Sequence, residues 1–367
     1  MTDHRIEIDA TRPLIDDPAN GHNRWHPAIA PVLEVEPGET VHCRLRDGLD
    51  VQIGPASTTD DVLAMDLNRG HPMTGPVLVR GAEPGDLLDV EILAVTPAEW
   101  GYTIVMPNLG ALDYRFSEPF VVKWDLRGGV ARSPDLPGVA IPGEPFLGVI
   151  GVAPSLQRVR QFAAREQALL DTGALVMPPD ARSAVPGAGV AATDGLRTVP
   201  PRENGGNMDV KQLTAGTRVT FAVEVPGALF SVGDPHFAQG DGESCGVAIE
   251  MAAETTLRFG LRKAGQVRWR PSNPVVEYTA PATTARRYVA TTGISLDRDG
   301  SNRFLDVFAA ARNALDELVD YLVDERGYTE SQAYVLVSVA ADLKISEIVD
   351  VPNALVSAAL PLDIFDI

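Results

Sequence analysis

The stretch that decides the reading runs from Pro200 to Glu250: PPRENGGNMDVKQLTAGTRVTFAVEVPGALFSVGDPHFAQGDGESCGVAIE. Glycines, carboxylates and a histidine crowd together here. Between Val219 and Leu257 there is no Lys or Arg, yet there are six acids: Glu224, Asp234, Asp241, Glu243, Glu250 and Glu254. Carboxylates this close raise one another's pKa unless positive charge is supplied. A metal ion or a distant Arg could supply it. In Asp234-Pro-His236, an extended backbone sends residues i and i+2 to the same face. Such an Asp and His pair either binds a metal through O and N donors or fixes an imidazole tautomer. In Gly240-Asp241-Gly242-Glu243, the glycines let the backbone turn sharply beside a ligand. Asp234, His236, Asp241 and Glu243 are therefore expected to meet around a metal or a polarised substrate. Asn204-Gly205-Gly206-Asn207-Met208-Asp209 can present backbone N–H groups as an anion nest, with Arg202 as a counter-charge. Cys245 reads as a small buried residue opening a strand, Cys245–Ile249.

Working outward, residues 1–95 look β-rich. Strands are expected at His42–Arg46, Pro76–Arg80 and Leu87–Val95. The turn Gly81–Asp86 would join the last two as a hairpin. His71 precedes Pro72, which forces extended angles on it and projects it from its loop. The aromatics of residues 100–130 are either a sub-core or the wall of a pocket. Phe146–Pro154 reads as a buried strand, and Ser155–Asp171 as a helix. Residues 177–201 look like a long surface loop that closes over a site. Leu315, Leu318 and Leu322 lie on the stripe of an amphipathic helix beginning at Phe304. Ser301 is its expected N-cap and Gly327 its C-cap. Thr329 and Gln332 form a capping box for a second helix through Ala341, giving a helical hairpin. Val267–Arg270, Val275–Tyr278 and Tyr288–Thr292 complete an α+β C-terminal region.

The chain has 367 residues, a 45% hydrophobic fraction and a formal charge of −19. That length predicts more than one subdomain, and the acidity argues against nucleic acid or an anionic membrane surface as partner. The expected regions are 1–150 (β-rich), 151–260 (central β, carrying the glycine and acid motifs) and 261–367 (α+β). Two cysteines, Cys43 and Cys245, build no disulfide framework. Nothing resembles a signal peptide or a membrane span, so a cytoplasmic protein is expected. Neither a P-loop nor HExxH nor CxxC occurs.

Several segments together resemble the acetamidase/formamidase family. They are HPMTGPVLVRGAEPGD (71–86), FLGVIGVAP (146–154), PPRENGGNMDVKQL (200–213), GALFSVGDPHFAQGDGE (227–243), GVAIE (246–250) and YVLVSVAADLKIS (334–346). The resemblance implies a mainly β protein: a β-sandwich-like core, a second β subdomain and a C-terminal helical hairpin packed on strands. It also implies a homo-oligomer that hydrolyses a short amide to acid and ammonia, with small γ-lactams as the other substrate class. A divalent metal is consistent with it, zinc being favoured by His236 and calcium by the oxygen donors. The roles then expected are Asp209, Asp234 and His236 as metal ligands and Glu243 as proton acceptor. Asp241 would orient His236 or complete the metal shell, and His71 would contact the substrate or the metal from the opposing loop. Gly205, Gly206, Asn207 and Arg202 would stabilise the oxyanion or hold the substrate. A calcium-holding, non-catalytic β-sandwich and a Cys245 nucleophile are the rival readings.

Overall fold

The computed structural model describes residues 3–279 and 287–365. Two six-stranded sheets face each other. The first runs in the order Asp3–Ile6, Thr40–Leu45, Ala253–Arg262, Leu87–Pro97, Arg218–Ala222, Val275–Glu277. Its first pair is parallel and the rest are antiparallel. At the centre of the second sheet, Phe146–Val152, Phe230–His236 and Met73–Val79 pair antiparallel. Gly205–Asn207 extends one edge and Gly21–His22 the other, and Leu33–Val35 also pairs with Met73–Val79.

The sandwich forms because the strands send alternate apolar side chains inward. Val41, Leu45, Val90 and Phe259 of the first sheet meet Phe146, Ile150, Phe230 and Val232 of the second. Phe230 and Phe259 touch edge to face across the gap, with centroids 5.2 Å apart. The strands Phe146–Val152 and Phe230–His236 are buried at every position. Both faces of these strands are covered, which explains why Phe146–Val152 reads as a continuous apolar run rather than an alternating one.

A second core joins the hairpin Trp100–Val105/Phe120–Asp125 to the C-terminal helices Val307–Arg326 and Glu330–Ala340. The first helix packs on an antiparallel sheet ordered Tyr288–Ile294, Leu355–Pro361, Asp342–Glu347. Phe116 stacks on Tyr334 at 4.3 Å, so the aromatics of the 100–130 segment build this sub-core. The fold is thus mainly β with an α+β C-terminal part, as expected. Strands Phe146–Val152 and Ala253–Arg262 run across positions 150 and 260, and both sheets draw strands from distant parts of the chain.

Five local expectations are corrected. Met73–Val79 and Leu87–Pro97 do not form a hairpin; they lie in opposite sheets. The turn between them is instead bonded to its neighbours: Gly227 N–H donates to Ala82 O, Gly85 N–H to Val223 O, and Ala264 N–H to Asp86 Oδ1. The long helix starts at Val307, capped by the Asp306 carboxylate accepting from Ala309 N–H, rather than at Phe304 after Ser301. Neither Cys245–Ile249 nor Val267–Arg270 is a strand. Residues 177–201 are not a free surface loop, because Leu196, Arg197 and Thr198 are buried and the buried Arg24 guanidinium donates to Asp180 O and Arg182 O. Among the described residues, no helix is long and apolar enough to cross a membrane.

Candidate active site

Strand Phe230–His236 carries Asp234 and His236 to one end of the second sheet. Asp234 takes a left-handed backbone conformation, φ 54°. Its carboxylate can sit there because two glycines leave room. A Cβ at Gly48 would stand 1.9 Å from Asp234 Oδ1 and 3.1 Å from Glu250 Oε2. A Cβ at Gly148, on the neighbouring strand, would stand 2.6 Å from Asp209 Oδ1 and 3.0 Å from Asp234 Oδ2. These two approaches are what an added methyl cannot tolerate.

His236 is the centre of the group. Its Nε2 lies 3.1 Å from Glu250 Oε1 and 3.3 Å from Asp234 Oδ1. The other ring nitrogen, Nδ1, lies 3.0 Å from Gln239 Oε1. Gln239 Nε2 donates to Asp209 O at 2.9 Å, which turns its oxygen toward the imidazole. Nδ1 therefore carries the proton and donates. Nε2 is left facing two carboxylates. Glu250 is fixed by backbone bonds on both sides of Tyr102: Tyr102 N–H donates to Glu250 O and Glu250 N–H to Tyr102 O.

Asp209, Glu243, His71 and Asn207 line the same small cleft, whose interior holds about 40 Å³ of solvent space. His71 N–H donates to Thr198 Oγ1 at 2.5 Å, so the 177–201 segment does reach the site. Asn207 Nδ2 donates to Val199 O, which leaves Asn207 Oδ1 as a buried acceptor. Asn207 can take an N–H from a ligand; it is not poised to stabilise an oxyanion.

In the protein alone, protons settle the crowding of negative charge. Burial and the Asp209 charge push Glu243 well up. Burial, with the Asp234 charge, pushes Glu250 up to about 8, and burial pushes Asp209 up to about 6. Burial would also raise Asp234, but His236 and His71 overcome it and hold this carboxyl well below the usual range. Burial opposes a charge on His236, yet Glu250 and Asp234 raise its pKa.

The donor atoms of Asp209, Asp234 and His236 lie within 4.8 Å of one another, as do those of His236, Glu243 and Glu250. His236 Nε2, Glu250 Oε2, Asp209 Oδ1 and His71 Nδ1 are buried with no hydrogen-bond partner among the described residues. Buried polar atoms are ordinarily partnered. Four such atoms converging on one cleft, with a nitrogen and carboxylate oxygens as donors, fit a divalent cation.

The remaining expected residues lie elsewhere. Arg202 is buried in a two-pronged ion pair with Glu166 (2.6 and 2.9 Å) and donates to Arg197 O. Gly205 N–H donates to Arg202 O, and Gly206 sits opposite Ile150 in the sheet, so these amides serve the strand edge. Asp241 faces Lys211 at 3.4 Å, outside the cleft. Gln239, three residues after His236, occupies the orienting place expected of Asp241. Glu250 was legible only as one of six acids in a stretch without cations.

Gly242-Glu243-Ser244-Cys245-Gly246 also matches the spacing Gly-x-Ser-x-Gly. It lies in turns with no following helix, and Ser244 is not among the cleft residues. The nucleophile-elbow geometry is therefore missing. A wider hollow of about 280 Å³ beside the long helix is lined by Tyr114, Arg298, Arg303, Asp306 and Arg312 and has no histidine.

A sequence profile of the Acetamidase/Formamidase family matches residues 7–367. The chain belongs to that family. It is 37% identical to a formamidase of Methylophilus methylotrophus, over 98% of this chain and 93% of that one. To an acetamidase of Mycolicibacterium smegmatis it is 35% identical, over 90% of this chain and 88% of the relative. The solved structure of a gamma lactamase from Delftia acidovorans superposes with a TM-score of 0.95 at 37% identity, covering 100% of this chain and 94% of that one.

Proposed function

We propose that this family member is an amidase that hydrolyses a short-chain amide of the formamide or acetamide type to carboxylate and ammonia, at the cleft around His236. The observation that carries the reading is the convergence of Asp234, Asp209, Glu243 and Glu250 on one small cleft, with the buried His236 among them, in a chain whose curated relatives are formamidases and acetamidases.

Asp209, Asp234 and His236 would hold a divalent metal, zinc by the nitrogen donor or calcium by the oxygen donors, with Glu250 adjoining. When bound, it would supply Lewis-acid charge that polarises a carbonyl and acidifies water. The protein's own groups do the rest. Glu243, once ionised, takes a proton from the attacking water and passes it to the leaving nitrogen. Asn207 Oδ1 accepts an N–H of the substrate amide, which sets the carbonyl on the side of the acids. His71 closes the cleft from the opposing loop and contacts the substrate. Gln239 holds His236 in one tautomer.

A small γ-lactam is the second substrate reading, supported by the gamma lactamase named above. Ammonia release from formamide and acetamide by purified protein tests the proposal, with metal content measured alongside and the assay repeated after chelation. Ammonia release that is lost on chelation and regained with the metal supports both parts. Activity without metal removes the metal and keeps the amidase. No activity on any small amide or lactam removes the amidase.

A further inference from the structure

We propose that Leu49 and Val247 are the acyl-side walls of the cleft and that they limit this chain to primary amides with a formyl or acetyl group. This rests on the amidase reading above. Around the cleft, the other side chains are carboxylates, an imidazole and a carboxamide, and glycine supplies the rest. Leu49 and Val247 alone among the lining residues offer aliphatic surface, so a hydrocarbon acyl group has nowhere else to lie without desolvating charge.

Both walls are rigid. Leu49 follows Gly48, whose backbone is pressed against the Asp234 and Glu250 carboxylates. Its N–H donates to Asp47 Oδ1 at 3.1 Å and its carbonyl accepts from Gln52 Nε2 at 2.8 Å. Val247 follows Gly246, at φ 82°, where a Cβ would meet Leu109 Cγ at 2.8 Å. The Val247 carbonyl accepts from Ser338 Oγ on the second C-terminal helix, and its side chain belongs to the core beneath that helix. Neither wall can retreat without disturbing a packed core.

The two walls decide the size: among the lining residues they are the aliphatic surface, and a longer acyl chain meets either them or charge. Each further methylene must displace a wall, and rigid apolar pockets discriminate one methylene by about 10- to 200-fold.

The test is kcat/KM for formamide, acetamide, propionamide and butyramide with wild type, Leu49→Ala, Val247→Ala and Val247→Ile. The wild type is expected to lose about tenfold or more per carbon beyond acetamide. Either alanine variant should raise the butyramide-to-formamide ratio by about tenfold or more, and Val247→Ile should lower the acetamide-to-formamide ratio. Val247→Ile adds a single carbon and keeps the test open if an alanine variant does not fold. Ratios unchanged in every folded variant, beside an active wild type, would overturn the assignment and leave the amidase standing. A wild type inactive on all four amides would overturn this assignment, and inactivity on a small γ-lactam as well would overturn the amidase with it.

Discussion

Nε2 of His236 and Oε1 of Glu250 stand 3.1 Å apart in the buried end of the sandwich, with the opposite ring nitrogen tied to Gln239. The imidazole is thus held between a donor contact it has made and acidic contacts that need either a proton or a cation between them. Replacing Glu250 by Gln removes the charge and keeps the volume. It is expected to lower ammonia release about 10- to 100-fold, as loss of a group that supports a ligand histidine does, and to lower metal content if the cluster holds one. A circular-dichroism melt checks that the fold survives.

Gln239 acts through His236. Gln239→Leu leaves Nδ1 without its acceptor and is expected to cost about 10- to 100-fold in activity or metal affinity, as loss of such supporting groups does. Gln239→Glu keeps an acceptor and should recover part of that loss. Measuring both variants separates tautomer control from general damage.

Gly48→Ala places a methyl 1.9 Å from Asp234 Oδ1, where a carboxylate must give way. Activity should fall to near background, and substrate or metal binding with it. An active Gly48→Ala protein would show that Asp234 has freedom the packing denies it.

Cys245 is buried, and burial raises its thiol pKa to about 12, so it is a poor nucleophile. Cys245→Ala is expected to retain ammonia release within about threefold, apart from the modest cost of a small cavity. Complete loss in a folded variant would revive the covalent reading.

His22 supplies a pH signature away from the site. It is buried, its Nδ1 donates to Arg24 O, and burial lowers its pKa from 6.5 to about 4. The unfolded chain therefore binds a proton between those values that the folded chain refuses. Stability is unaffected above pH 6.5 and is lost progressively as pH falls toward 4, by on the order of 3 kcal/mol. Asp47, raised by burial to about 6, contributes the opposite slope, so the comparison must be with His22→Asn, which keeps a donor toward Arg24 O. Denaturant melts across that range should show a steeper acid loss in the wild type.

Much of the fold was legible because period and punctuation are local. The strand Thr40–Leu45, the buried Phe146–Val152 and the capping box at Thr329 all lie where their residues direct. The supposed hairpin at Gly81–Asp86 failed because a turn signal specifies a reversal and says nothing about which sheet receives the next strand. At the site, Asp234, His236 and Glu243 gather because a short glycine-rich segment constrains where they can go, while Asp209 and His71 are brought to them by the pairing of the second sheet. Asp241 and Arg202 were misplaced for a common reason. Sequence neighbourhood cannot show that Lys211 and Glu166 stand closer to them than the cleft does. Gln239 escaped notice because its value lies in orientation rather than charge.

The most direct test of the central claim is the initial rate of ammonia release from formamide by the wild type and by Glu243→Gln, prepared side by side and matched for folding. Amide hydrolysis with Glu243 as the proton carrier predicts an active wild type and a variant slower by about 100-fold or more. Equal rates in the two proteins, or no ammonia from either, would contradict it.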